Sequence, residues 1–158
     1  MADIHGEADL EARSIAEAEG RTLRTGHVQC VVVTPESTVL DERATFVALP
    51  LYDGEIGIAP GHSPMIGRLG YGEMRLTAGG KSRKFYVDGG FVQVANDVVS
   101  VLTPRAVPAE QVDGKVAAEM LTQALVRKAD SPELMALRDR VVQQARAQIR
   151  IAEHSAAT

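Results

Sequence analysis

The sequence predicts a β-sandwich or flattened β-barrel, followed by a C-terminal antiparallel α-helical hairpin. Between residues 27 and about 103, short β-branched segments alternate with turn residues, which is typical of an all-β domain. After Pro108 the composition changes to Ala, Leu, Gln, Arg and Glu, which favour helices. Residues 27–104 are therefore predicted to form the sandwich and residues 105–158 the hairpin.

The first 26 residues are predicted to be a separate acidic extension. They contain six acidic and three basic residues and few large apolar side chains, so they cannot bury much surface. A short helix is conceivable over residues 10–18, but a helix of that length is unstable alone in water. We expect this extension to be mostly mobile.

The sandwich region contains a series of short candidate strands separated by turn residues. The candidate strands are residues 28–33, 38–40, 44–49, 55–58, 73–77, 83–87, 90–95 and 98–102. Tight turns are predicted at Gly79-Gly80, Asp88-Gly89 and Asn96-Asp97, because these residue types tolerate left-handed backbone conformations. The single cysteine, Cys30, lies in the first apolar run and is predicted to be a buried structural thiol.

Two helices are predicted from apolar residues that recur every three to four positions. On the first helix these are Val112, Val116, Met120, Ala124 and Leu125; on the second they are Leu134, Leu137, Val141, Ala145, Ile149 and Ala152. Ser131 is predicted to cap the second helix, with Pro132 in its first position. Gly114, expected inside the first helix, should cost about 1 kcal/mol relative to alanine. The apolar stripes must pack on each other, on the sandwich or on a partner.

Composition and motifs argue against several function classes. The net charge of -4 argues against a nucleic-acid partner, which would require an excess of basic residues. No apolar stretch is long enough to cross a bilayer, so any membrane association should go through other proteins. The segment Gly79–Ser82 lacks the opening glycine of a phosphate-binding loop, and Ser63 lacks the second glycine of a nucleophile elbow. We predict no catalytic residue, metal site or cofactor.

Two motifs carry a resemblance to a known family. Residues 53–66, Asp-Gly-Glu-Ile-Gly-Ile-Ala-Pro-Gly-His-Ser-Pro-Met-Ile, resemble the signature of the epsilon subunits of F-type, proton-translocating ATP synthases. Residues 85–94 resemble the strand and Gly-Gly turn of that family, and residues 28–39 resemble its first strand. With the two-helix tail, the resemblance covers about residues 27–153. It implies a sandwich of about ten strands followed by a helical hairpin.

The resemblance also implies a function and a set of partners. Members of this family are non-catalytic central-stalk subunits that bind the gamma subunit and the c-ring and couple proton flow to ATP synthesis by the alpha and beta subunits. The implied partner-binding residues are Glu55, Gly61, His62, Pro64, Met65 and Gly67. Glu55 would face the c-ring loops, and His62 with residues 64–67 would lie near gamma. Alternatively, these residues only form turns at one end of the sandwich.

The resemblance implies a peripheral membrane protein at the cytoplasmic face of a bacterial inner membrane. A mitochondrial transit peptide would be rich in arginine and poor in acids, whereas residues 1–26 are acidic. The alternative hypothesis is that the chain is a free-standing β-sandwich binding module unrelated to rotary catalysis. Co-purification with a gamma subunit would separate these two hypotheses.

In this family the helical tail can inhibit ATP hydrolysis when its basic residues meet acidic segments of the beta subunits. Here the corresponding candidates are Arg138, Arg146 and Arg150 on the second helix. Arg146 and Arg150 are four residues apart and therefore neighbours on one face. The alternative is that these arginines form only the solvated face of an amphipathic helix.

Some epsilon subunits also bind ATP through a motif on the first helix and basic residues on the second. The corresponding segment here is residues 112–117, so Asp113 and Lys115 are the candidate nucleotide-binding residues. Val116 stands where that motif has an arginine, and Gln144 and Gln148 stand in place of the basic pair. Because a triphosphate requires positive charge, we predict weak ATP binding or none.

Overall fold

The computed structural model describes residues 26–157, which form eight strands, one 3-10 turn and two helices. The strands are β1 (Val28–Val33), β2 (Thr38–Ala44), β3 (Phe46–Leu51), β4 (Gly54–Ile58), β5 (Met65–Ala78), β6 (Lys81–Ala95), β7 (Val98–Leu102) and β8 (Ala106–Pro108). The 3-10 turn (Ala109–Gln111) precedes helices α1 (Gly114–Val126) and α2 (Pro132–Ala156). The predictions for residues 1–25 and 158 lie outside the described residues.

The described strands pair in the order β2-β1-β7-β6-β5-β3-β4, with β8 also paired to β6. The β1 and β7 strands are parallel, and the other pairs are antiparallel. Buried side chains from β1 and β2 share one cluster with those from β3 and β4, although these strands lie at opposite ends of the sheet. The sheet is therefore folded over on itself, and the predicted sandwich followed by a helical hairpin is confirmed.

The strand count is eight among the described residues, rather than about ten, because β5 and β6 are unusually long. They contain 14 and 15 residues and pair with each other from Met65↔Val94 to Ala78↔Lys81. Residues 65–72 were not predicted as a strand, because three glycines interrupt the alternating pattern there. One of them, Gly70, lies where a Cβ would come within 2.8 Å of the Leu51 carbonyl oxygen.

The predicted turn at Asp88-Gly89 is wrong, because β6 continues through it. Gly89 and Gly90 have φ angles of 75° and 105°, which bend the strand without ending its pairing to β5. Before the bend β6 pairs with β8, and after it β6 pairs with β7. The other two predicted turns are confirmed: Gly79-Gly80 and Asn96-Asp97 each join two strands with both φ angles positive.

The sandwich core contains large side chains that are fully buried, including Leu49, Ile58, Met74 and Leu76. Cys30 belongs to the same cluster and is completely buried, as predicted. Burial, with smaller contributions from the nearby Glu42 and Asp41 carboxylates, raises the pKa of its thiol from 9.0 to about 12. The thiol is therefore a neutral, apolar core group at physiological pH.

The second helix begins where the sequence predicts, but the first begins later, at Gly114, so that Val112 lies before it. The Ser131 hydroxyl accepts a hydrogen bond from the Leu134 backbone N–H at 3.2 Å, and Pro132 occupies the first turn of α2. Gly114 is the first residue of α1, not an interior one, so the expected cost of about 1 kcal/mol is wrong. A Cβ there would lie 3.0 Å from the Ala152 Cβ, which indicates that glycine permits a close approach of the helices.

The apolar stripes of the hairpin differ in part from those predicted. The buried residues are mainly alanines and the end of α2: Ala117, Ala124, Ala145, Ala147, Gln148 and Ile151. Val116, Leu125, Leu134 and Leu137 are instead 45–56% exposed. Within residues 26–157, neither helix is long and apolar enough to cross a membrane.

The sheet continues past residue 104, because β8 pairs with the first half of β6. The Asp88 backbone N–H also donates to the Arg105 carbonyl oxygen at 3.1 Å, which fixes the connection between the sandwich and the tail. Both helices lie within the range 105–158 predicted for the hairpin. The limits 27–104 and 105–158 stay a prediction about separable domains.

Candidate functional site

A short loop between β4 and β5, residues 59–64, carries the Pro-Gly-His motif. The His62 backbone N–H donates to the Ala59 carbonyl oxygen at 3.2 Å, and Gly61 has a φ of 82°. The His62 Nδ1 atom lies 2.7 Å from the Ser63 carbonyl oxygen. With two prolines, one glycine turn and these local hydrogen bonds, the loop has little conformational freedom to lose when a partner binds.

Asp97, in the turn between β6 and β7, fastens this loop to that turn. Its Oδ1 atom accepts a hydrogen bond of 2.7 Å from the Gly61 backbone N–H, and the residue is only 5% exposed. The other oxygen, Oδ2, is buried and has no hydrogen-bond partner among the described residues. The sequence identified Asp97 only as a turn residue, because nothing in the local pattern relates position 97 to position 61.

The predicted partner-binding residues form one contiguous group and one outlier. Gly61, His62 and Pro64 lie in the loop, and Met65 and Gly67 follow at the start of β5. Glu55 lies near the far end of β4, three residues before Ile58 and hence about 10 Å along the strand. Its exposed carboxylate is 3.8 Å from Arg75, a surface pair that contributes little to stability.

An exposed apolar face lies beside the loop. We call it the outer face; it consists of Ile66, Phe91, Val98 and Leu102, which are 77%, 57%, 38% and 55% exposed. Phe91 lies opposite Leu102 on β7 and opposite Arg68 on β5, so the group spans three adjacent strands. Arg68 in turn stacks over the Tyr52 ring, 4.4 Å from its centroid. The polar Gln93 and Ser100 lie between the Phe91–Leu102 pair and Val98 on this face. Exposed apolar residues grouped on one face of a sheet commonly mark a protein interface.

Sequence reasoning missed Phe91 and Leu102 as surface residues. Each adjoins a buried valine, Val92 or Val101, so the apolar run conceals which side chain faces outward. The pairing of β6 with β7 resolves this, since Phe91 is opposite Leu102 and Val92 is opposite Val101. The outer face is identified by the register in which the strands pair, and the sequence alone does not give that register.

The structure brings together two of the three predicted tail arginines. Arg146 and Arg150 line a groove between α2 and the sandwich, together with Tyr52, Tyr71 and neighbouring residues of β3 and β5. Arg138 is eight residues earlier, about 12 Å along the helix, near the turn between α1 and α2. Its Nε atom lies 3.9 Å from the Asp139 carboxylate. The three arginines therefore form a pair and a separate third charge.

The candidate nucleotide-binding residues do not form a cationic site. The Asp113 carboxylate caps α1 and accepts hydrogen bonds from the Lys115 and Val116 backbone N–H groups at 2.9 and 3.3 Å. The open groove beside it contains Lys115 but also Glu110, Glu153 and Asp113. Three carboxylates against one ammonium group oppose the binding of a triphosphate. Arg146 on the second helix lies outside this groove and lines the other one.

The glutamines on α2 instead contact the sandwich. The Gln144 Nε2 atom donates to Asp88 Oδ1 at 2.9 Å, and the Tyr86 hydroxyl donates to the same oxygen at 2.7 Å. Gln148 is buried beside the Tyr86 side chain and lowers the pKa of its hydroxyl. Burial is the main cause that raises the pKa of Tyr86, so its hydroxyl stays protonated as a donor. Among residues 26–157 there is no group of three or more potential metal ligands.

Comparison with known proteins identifies relatives of both the sandwich and the tail. Residues 27–109 match the family described as ATP synthase, Delta/Epsilon chain, beta-sandwich domain. The ATP synthase epsilon chain of Rhodopirellula baltica is 50% identical over 123 residues, which cover 78% of this chain and 96% of that protein. The epsilon chain of a Synechococcus species is 40% identical over 131 residues, covering 80% of this chain and 94% of that protein.

Solved structures with the same fold come from mitochondrial ATP synthases. A chain of the Euglena gracilis enzyme, solved with OSCP, F1 and the c-ring, has a TM-score of 0.71 and 20% identity, covering 84% of this chain and 82% of that chain. A chain of the Tetrahymena thermophila central stalk and c-ring has a TM-score of 0.64 and 12% identity, covering 79% and 96%. At these identities the similarity shows the fold.

Proposed function

The chain belongs to the ATP synthase delta/epsilon family, and from this premise we propose that it is a non-catalytic epsilon subunit of the central stalk. The similarity to the Rhodopirellula baltica epsilon chain supports this function, because it extends over 96% of that protein. The subunit would contribute to ATP synthesis and proton transport as part of the complex. The alternative, a free-standing sandwich module, has no support from these relatives.

We propose that the outer face and the Pro-Gly-His loop bind the gamma subunit, and that Glu55 contacts the c-ring. The observation that supports this assignment is continuity: Ile66 belongs to the outer face and directly follows Met65 of the predicted set. A rigid polar loop beside an exposed apolar face provides both an anchor and a means of fixing orientation. The subunit would then reach the cytoplasmic side of a bacterial inner membrane through the complex alone.

Co-expression with a gamma subunit tests the contact assignment. Phe91→Ser should weaken binding at least tenfold, because it removes an apolar side chain that is 57% exposed on β6, the middle strand of the outer face. His62→Ala and Glu55→Lys should weaken assembly less while leaving the isolated fold intact, since surface changes usually cost within about 0.5 kcal/mol. Binding is measured by pull-down and calorimetry.

The matched control is Val39→Ser, which removes an apolar side chain that is 37% exposed on the edge strand β2. It should bind gamma like the unmodified chain. If Phe91→Ser binds gamma as tightly as Val39→Ser, the outer face is not the gamma site. If neither the unmodified chain nor the control co-purifies with gamma, the central-stalk function itself is wrong.

We further propose that α2 can leave the sandwich and inhibit ATP hydrolysis when its arginines meet acidic segments of the beta subunits. Replacing Arg138, Arg146 and Arg150 by Gln should keep the helix but raise hydrolysis by the assembled complex. Inhibition by the unmodified subunit should also fade with salt, since exposed charge pairs are screened over about 8 to 10 Å. The measurement is steady-state hydrolysis at low and high ionic strength.

The control for charge alone is Arg127→Gln, which removes an exposed arginine beyond the end of α1. Deletion of residues 112–158 gives the upper limit for released hydrolysis while keeping β8 paired to β6. Unchanged hydrolysis in the triple variant, with the subunit still bound, would leave the arginines as a solvated face. We expect no role for ATP in this response, given the acidic surroundings of Lys115.

A further inference from the structure

The contact between α2 and the sandwich has a small apolar part. Its buried members are Tyr86, Ala109, Ala147 and Ile151, with Tyr71 and Val112 partly buried against them. Two of the four buried residues are alanines, so little apolar area is removed from water when the helix docks. Apolar packing alone therefore gives this interface neither large affinity nor a well-defined register.

A polar network lies at the centre of the same contact. Asp88 Oδ1 accepts one hydrogen bond from Tyr86 on its own strand and one from Gln144 on α2. Gln148, one helical turn further along, is buried close enough to the Tyr86 side chain to lower the pKa of its hydroxyl. Gln144 thus holds the helix by a hydrogen bond, and Gln148 lies beside the same strand. Hydrogen bonds to a charged acceptor are the stronger ones, and they depend on direction, so they select one register.

The backbone of Asp88, the residue that accepts the hydrogen bond from α2, is held in place by contacts within the sandwich. The Asp88 backbone N–H lies within hydrogen-bonding distance of both the Arg105 carbonyl oxygen and the Thr103 hydroxyl, at 3.1 and 3.2 Å. Gly89, the next residue, begins the bend in β6 with its positive φ. Asp88, which accepts the hydrogen bond from Gln144, therefore lies at the bend in β6. Before this bend β6 pairs with β8, and after it β6 pairs with β7.

We propose that Asp88, Tyr86, Gln144 and Gln148 form a latch that holds α2 on the sandwich without a bound nucleotide. This proposal rests on the proposed function, in which undocking of α2 precedes inhibition. Gln144 and Gln148 occupy positions where a nucleotide-dependent tail would need cations. Here Gln144 donates a hydrogen bond to Asp88 on the sandwich, and Gln148 is buried beside Tyr86. The latch sets the fraction of subunits whose tail is free, and Gln144 and Asp88 act as positioning residues for Arg146 and Arg150.

The latch can be tested on the full chain by the rate of thiol modification at Ala147→Cys. Ala147 is 1% exposed when α2 is docked, so a cysteine there should react only when the helix leaves the sandwich. Cys30 gives no competing signal, because it is fully buried and its thiol has a pKa of about 12. Gln144→Ala in this background should raise the rate about tenfold through loss of a hydrogen bond to a charged group.

Two variants separate the latch from a general effect on the helix. Gln143→Ala makes the same change at the adjacent exposed position, which lines the groove beside Arg146 but is not a partner of Asp88. It should stay within about twofold of the background rate. Gln144→Lys retains a donor for Asp88 and should also keep the slow rate. Hydrogen exchange of α2 amides in Gln144→Ala alone, without the added cysteine, should rise by the same factor. Millimolar ATP should leave all these rates unchanged.

Equal rates in Gln144→Ala and Gln143→Ala would overturn the latch, and slowing by ATP of tenfold or more would overturn its independence of nucleotide. Hydrolysis by the assembled complex provides the separate readout. If Gln144→Ala undocks faster and lowers hydrolysis, both proposals are supported. If it undocks faster with hydrolysis unchanged, the latch stands and the inhibitory role of the tail is wrong.

Discussion

The sandwich and the hairpin are both rich in apolar residues, but they bury different kinds of side chain. In the sandwich, large residues such as Leu49, Met74 and Leu76 are completely buried. In the hairpin the buried residues are mostly alanines, while Leu134, Met135 and Leu137 are 45–48% exposed. The sandwich therefore satisfies its own core, and the hairpin leaves much of its apolar surface available.

This difference indicates which of the two regions contributes more to the stability of the fold. A core of fully buried Leu, Ile, Val and Met side chains can hold a domain together by itself. Two helices that meet through alanines gain less from burial, and their ordering still costs conformational entropy. A small net stability would let a partner shift the hairpin between arrangements without disturbing the sandwich, as the proposed inhibition by α2 requires.

The largest expected effect compares the same substitution in the two regions. Leu49→Ala should lower the free energy of unfolding by about 2 to 5 kcal/mol, because it creates a cavity in a fully buried site. Leu137→Ala, at a position that is 45% exposed, should cost less than about 1 kcal/mol. Urea unfolding followed by circular dichroism measures both. Similar losses at the two positions would remove the distinction between the regions.

The sequence predicted the sandwich well where burial alternates and turns are marked. The β1 pattern, Gly79-Gly80 and Asn96-Asp97 carry their information locally, because side-chain alternation and left-handed turns depend on adjacent residues. The bend at Gly89-Gly90 was missed, since a glycine pair specifies a positive φ but not whether the strand ends. Pairing with β5 on one side keeps β6 continuous, and that constraint comes from residues 69 and 71.

The candidate site was predictable only in part, for the same reason. The Pro-Gly-His loop has a continuous motif, so its residues could be named from the sequence. The outer face and the bond from Asp97 to Gly61 join residues that are far apart in the chain. The role of Gln144 depends on a contact with Asp88, 56 residues away. Long-range pairing of this kind leaves no periodic signal in a single sequence.

A smaller expected effect uses Cys30 to sharpen the description of the core. In the unfolded chain the thiol has its ordinary pKa of 9.0, and in the folded chain burial raises that pKa to about 12. The neutral thiol is therefore favourable below pH 9.0, and its contribution is lost between pH 9.0 and about 12. Across this window the free energy of unfolding should fall by up to about 1.4 kcal/mol per pH unit more than in Cys30→Ala.

Urea unfolding at pH 8, 9 and 10 measures this slope, and each protein serves as its own reference at pH 8. Other groups, including Tyr86, titrate in both proteins, so the difference between the slopes isolates the thiol. Cys30→Ala will be less stable at every pH, but only its slope matters here. Parallel slopes would mean that water reaches Cys30 and that the core is less tightly closed than its complete burial indicates.

The smallest expected effect asks whether the two regions unfold as one unit. Ser131→Ala removes the cap of α2, in which the hydroxyl accepts from the Leu134 N–H, and such losses cost about 1 kcal/mol. If the hairpin opens separately, this change should raise hydrogen exchange in the first turns of α2 about fivefold. The urea midpoint of the sandwich should not move.

Thr34→Ala is the matched control, since its hydroxyl hydrogen-bonds with the Ser37 backbone in the β1–β2 turn. A lowered midpoint is expected there, because that turn belongs to the sandwich. If Ser131→Ala lowers the midpoint as much as Thr34→Ala does, the hairpin and the sandwich are one cooperative unit, and a tail that undocks alone would be too costly to serve as a regulator.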